Sequence, residues 1–114
     1  MEWDKHQKEL WDLAEKFNDL TGYCPQMFLA KNLKNPCAYI EVEGACYILA
    51  PDKNETWYVS ETLSAENLLV SDEIYQIQGN LSFEDAMVTF LEKTNCGITI
   101  EELRADHSQS PVPE

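Results

Sequence analysis

The chain has 114 residues, 44% of them apolar, and sets 21 Asp and Glu against 8 Lys and Arg for a formal charge of −13 at pH 7. That length makes one domain with a core that needs no staples, and the apolar fraction excludes a disordered chain. The charge disfavours direct binding to nucleic acid, whose phosphates need cations, and no apolar run approaches the ~18 residues that span a bilayer. The first residues, Met1-Glu2-Trp3-Asp4-Lys5, lack the basic and apolar regions of a signal peptide, so a cytoplasmic setting is expected.

Trp3 to Leu20 reads as a helix. Trp3, Leu10, Leu13, Ala14, Phe17 and Leu20 recur on one face at a period near 3.6, and Gly22 supplies a stop. Six acids and three lysines fill most of the rest, with Lys8 and Asp12 spaced i,i+4. Trp11 lies about 120° from the centre of the apolar stripe at 100° per residue. It is either a boundary packing residue or an exposed contact anchor. His6, at the stripe's edge, reads as a packed histidine.

Met27-Phe28-Leu29-Ala30 is too short for periodicity to decide between a buried strand and a helical turn begun by Pro25. Asn32 to Pro36 is turn-like. Ala38 to Ser60 is clearer: three runs rich in β-branched and aromatic residues, broken by Glu43-Gly44 and by Pro51 to Glu55, predict an antiparallel meander. With the first turn at Glu43-Gly44, Val42 faces Ala45, Ile40 faces Tyr47 and Ala38 faces Leu49. Across the second turn, Leu49 is expected opposite Trp57 and Tyr47 opposite Val59. One face then collects Ala38, Ile40, Val42, Ala45, Tyr47, Leu49, Trp57 and Val59, a set that a one-residue slip would scatter. The other face carries Tyr39, Glu41, Cys46, Ile48, Tyr58 and Ser60. It is apolar enough to ask for cover by a second layer or a partner.

Ser64 is placed to cap a short helix over Ala65 to Leu69. Glu73 to Gln78 has strand character and is expected to end at Gly79-Asn80. Ser82 and Asp85 then resemble a capping box, with Leu81 and Ala86 as the staple. The helix they open has Phe83, Ala86, Met87, Phe90 and Leu91 as its buried stripe, and Asn95-Cys96-Gly97 ends it. Thr99 and Glu102 make a full box, with Ile98 and Leu103 as staple, for a helix through roughly Asp106. The last eight residues, with two prolines, read as a frayed tail. The fold class is α+β: one small domain over residues 1–106 with an N-terminal helix, a meander of three to five strands and C-terminal helices, then the tail 107–114.

The chemistry-bearing residues form no catalytic pattern. Cys24, Cys37, Cys46 and Cys96 make no CxxC pair, and His6 and His107 lie at opposite ends, so reduced thiols are expected rather than zinc. Adjacent acids such as Asp72-Glu73 and Glu84-Asp85 diverge on a helix by about 100°, and acids at helix starts answer the macrodipole. No EF-hand, HExxH, phosphate loop or GxSxG occurs. No enzyme, cofactor or metal is expected.

Charge is the strongest signal. From Asn54 to Glu92 there are eight acids and no Lys or Arg. That pattern points to a basic protein partner through steering and complementarity, with solubility alone as the plainer reading. Candidate contacts are Glu55, Glu61, Glu66, Asp72, Glu73, Glu84 and Asp85, with Tyr58, Tyr39 and Trp11 as aromatic anchors. In element order and charge the chain resembles small phage or plasmid inhibitors, some anti-CRISPR proteins among them, and also acidic immunity proteins and small secretion chaperones. No motif carries the likeness, so no functional residue transfers. The acid-rich run from Asn54 to Glu92, free of Lys and Arg, motivates the leading expectation, an inhibitor that presents carboxylates in place of phosphates to a basic, nucleic-acid-handling protein. The alternative is an oligomeric, chaperone-like or immunity-type interaction protein. Monomer and homodimer both stay open.

Overall fold

The computed structural model describes residues 2–30, 36–64 and 74–104. Helix α1 (Glu2–Thr21) buries Trp3, Leu10, Leu13, Ala14 and Phe17, the stripe its periodicity predicts. It closes in a Schellman pattern. Tyr23 N–H bonds the Asn18 carbonyl at 2.9 Å and Gly22 N–H that of Asp19 at 3.4 Å, with Gly22 at φ +66°. Leu20 departs from the expected stripe: it is exposed, because it falls beyond the last turn that rests on the sheet.

Five strands follow: β1 (Met27–Ala30), β2 (Cys37–Val42), β3 (Ala45–Pro51), β4 (Trp57–Thr62) and β5 (Tyr75–Leu81). Their order in the sheet is their order in the chain, each antiparallel to the next. Residues 27–30 are thus an edge strand, not a helical turn. Between β2 and β3 the register is the expected one, Ala38 facing Leu49, Ile40 facing Tyr47 and Val42 facing Ala45.

Between β3 and β4 the register differs from the expectation by two residues. Leu49 faces Val59, Tyr47 faces Glu61, and Pro51 is in the strand, opposite Trp57. The cause lies in the connection. The reversal runs from Asp52 to Thr56, whose backbone groups bond at 2.7 Å, and it turns on two left-handed residues, Asn54 and Glu55. Because the shift is even, every side chain keeps its face.

Nor do Gly79 and Asn80 end β5. The strand continues to Leu81, and two register shifts against β4 take up the extra residues, with Asn80 at φ +55°. Bulges of this kind are common on edge strands.

Two further helices complete the described chain, α2 (Phe83–Thr94) and α3 (Ile100–Arg104). Ser82 caps α2 by accepting from the Asp85 N–H at 3.1 Å, and Asn95 closes it in the left-handed conformation. The Thr99–Glu102 box is complete. Thr99 Oγ1 accepts from the Glu102 N–H at 3.2 Å, and Glu102 Oε1 accepts from the Thr99 N–H at 2.9 Å. The proposed helix 65–69, the turn at 32–35 and the tail 107–114 lie outside the described residues.

All three helices lie on one face of the sheet. Trp3, Leu10, Leu13 and Phe17 of α1, Ile40, Leu49, Trp57 and Val59 of the sheet, and Phe83, Met87, Phe90 and Ile100 behind them form one core. The other face holds a smaller cluster: Cys37, Cys46, Ile48 and Ala50 are buried, with Tyr39, Tyr58 and Ile74 partly buried against them. Trp57 and Tyr58 therefore point to opposite sides, as the alternation requires.

Candidate functional site

Among the described residues, the acids singled out from sequence do not all gather in one place. Trp57 pairs with Leu81, so the Asp52–Thr56 loop and the start of α2 share one end of the sheet. Glu55, Glu84 and Asp85 gather there. Glu61 sits about four residues along β4, roughly 13 Å away at 3.3 Å per residue, in a cross-strand row with Tyr47 and Tyr75. Glu66, Asp72 and Glu73 lie outside the described residues.

Two of these acids already serve the fold. Arg104 donates to Glu84 at 2.6 Å and to Glu9 at 3.0 Å, tying α3 to α2 and to α1, and both carboxylates push its pKa up. Glu55, 78% exposed, stands 3.9 Å from Lys5. At the same end His6 stacks on Phe83 (centroids 4.1 Å apart) and meets Trp57 edge-on, with Glu2 at 3.5 Å and Glu9 at 3.6 Å. It is a packed histidine. The Trp57 indole N–H donates to Glu2 at 3.1 Å. That bond, with Lys5 behind it, holds the Glu2 carboxyl below the ordinary carboxylate value against the opposing pull of burial.

The aromatic candidates are better connected. Trp11, on the outer side of α1, is 55% exposed. A groove runs from it past Glu15 and Asn18 to Met27, Phe28 and Leu29 on β1. Phe28, 39% exposed, stacks on Tyr39 with ring centroids 5.2 Å apart. Tyr39 and Tyr58 both belong to the rear cluster, where burial raises their phenol pKa values. Phe28 lines the groove at β1 while its ring lies with Tyr39 on the rear face, and sequence reasoning passed over it. Once residues 27–30 are read as a strand, parity alone puts Phe28 on the side opposite Met27 and Leu29.

Two of the four cysteines are shut away from chemistry. Cys37 and Cys46 are buried free thiols with pKa values pushed up to about 12, chiefly by burial, which keeps them protonated and inert. Among the described residues no three His, Cys, Asp or Glu side chains converge as a metal site would require. None of the described helices is long and apolar enough to cross a membrane. Comparison with known proteins finds no matching family model, no matching curated protein and no matching solved structure.

Proposed function

We propose that this chain is an acidic protein-binding module that inhibits a basic, nucleic-acid-handling protein, its carboxylates standing where phosphates would lie. One observation carries the reading. A molecule of net charge −13 presents exposed aromatic side chains, Trp11 and Phe28, around a groove with a carboxylate on its rim. Aromatic anchors supply affinity when desolvated, and surface carboxylates supply steering and salt dependence. The acids nearest the sheet's loop end contribute less than a bare count suggests, since Glu84 and Glu55 face Arg104 and Lys5.

Self-association, the alternative, is weakened by two features. Each copy would bring the same large negative charge to the contact, and the β1 edge is partly closed from within by Asn18.

The test uses the tagged protein as bait in a cell lysate at ~0.1 M and ~0.5 M salt, with duplex DNA as competitor. A basic partner held at low salt, released as screening grows and displaced by DNA is the expected result. A partner retained equally at both salts and indifferent to DNA defeats the mimic reading.

A further inference from the structure

Three tryptophans occur in the chain, and one reaches solvent. Trp3 and Trp57 are 3% and 0% exposed, Trp11 55%. A Trp more than half exposed in the middle of a helix is an unusual use of that residue. Asp4 and Asp12 flank it on one side, and the groove with Glu15 at its rim opens on the other. Among the described residues Lys8 is the one cation lining either depression, and it bonds Asp12 at 3.5 Å.

We propose that the groove between α1 and β1 is the docking site for a cationic amphipathic helix of the partner. The inference rests on the protein-binding reading above and names the surface and the chemistry that fit it. Charge selects the occupant. Carboxylates on both sides of an aromatic floor favour Lys and Arg flanking an apolar stripe, and they disfavour a second copy of this acidic chain. Backbone geometry selects a helix over an added strand. β1 has four residues, and Asn18 already takes the outward N–H and C=O of Met27. A strand would find only the Leu29 pair, too little for a ladder. From Trp11 to Asn18 the groove follows about 10 Å of helix axis at 1.5 Å per residue. That length matches two turns of a partner helix, presenting i, i+3 or i+4, and i+7 side chains to Trp11 and to the rim that β1 supplies.

The probe is a Leu/Lys peptide of about 18 residues patterned as an amphipathic helix, set against an isomer of the same composition with the pattern scrambled, both titrated calorimetrically into the full chain. The amphipathic peptide should bind at least about tenfold more tightly, and Trp11→Ala should remove about tenfold or more of that affinity. Because the other two tryptophans are buried, binding should also shift Trp emission to the blue and reduce acrylamide quenching. Trp11→Phe should keep most of the affinity while losing the spectral change. Equal binding of the two peptides, or unchanged affinity in Trp11→Ala, overturns the site, since charge alone would then suffice. The two readings separate cleanly. DNA-competed capture that survives Trp11→Ala sinks the groove and spares the function. Patterned binding that needs Trp11, with no DNA-displaceable partner, supports the groove and sinks the mimic.

Discussion

The side chain of Asn18 stands in for a missing strand beside Met27. Its Oδ1 accepts from the Met27 N–H at 2.7 Å and its Nδ2 donates to the Met27 carbonyl at 3.2 Å. An outer β-strand offers unpaired backbone groups to any chain that can add to it. Here a buried amide from α1 occupies one such pair. The same contact fixes α1 against the sheet edge and lies in the wall of the groove that Trp11 borders.

Replacing Asn18 with Leu keeps the volume but leaves the Met27 N–H and C=O buried and unmet. Each orphaned group costs roughly 1–3 kcal/mol, so the variant should lose about 2–4 kcal/mol in urea unfolding. A loss under ~0.5 kcal/mol would mean that water satisfies Met27 equally well.

Trp57 and Tyr58 are neighbours in sequence with different duties. Trp57 is fully buried, touching Trp3, Phe83 and His6, whereas Tyr58 is half-buried in the rear cluster. Trp57→Ala should cost roughly 3–5 kcal/mol. Tyr58→Ala should cost well under half of that and leave the near-ultraviolet dichroism of the core in place. Equal losses in a denaturant titration would contradict the two-sided division of the sheet.

Glu2 should impose an acid limb on stability. Its folded carboxyl lies below the ordinary value of 4.5, held there first by the Trp57 indole N–H and then by Lys5. A group with a lowered folded pKa contributes stability above its unfolded pKa and loses it as pH falls through the folded one. Glu2→Gln should therefore be less stable than the parent at pH 6 to 7, and the gap should close below the ordinary carboxylate range. Thermal unfolding of both proteins across that window measures it. A gap that widens on acidification would reverse the assignment.

Much of the fold is legible in the sequence because its signals are local. The α1 stripe, the Glu43-Gly44 hairpin and the Thr99–Glu102 box each depend on residues a few positions apart. What escaped was non-local or degenerate. The pairing of β3 with β4 was misjudged by two residues, and an even slip leaves every side chain on its expected face, so hydrophobic pattern cannot detect it. The bulges around Gly79 and Asn80 looked like a strand end because left-handed residues also terminate strands. Asn18 reads as one more polar position on a helix; its role appears only when Met27, nine residues on, is brought beside it. The candidate surface was half legible. Trp11 and Tyr39 stood out by residue type, whereas Phe28 needed the assignment of β1 to join them.

The meander also orders events in time. Each strand pairs only with its neighbour in sequence, so the sheet can assemble hairpin by hairpin, most readily across the Glu43-Gly44 turn between β2 and β3. The first helix mixes a local anchor, Asn18 on Met27 nine positions on, with distant ones. Its Glu2 bonds Trp57, 55 positions away, and its Glu9 meets Arg104, 95 positions away. The helix can therefore settle on β1 early, whereas its ties to Trp57 and Arg104 wait until β4 and α3 have been made.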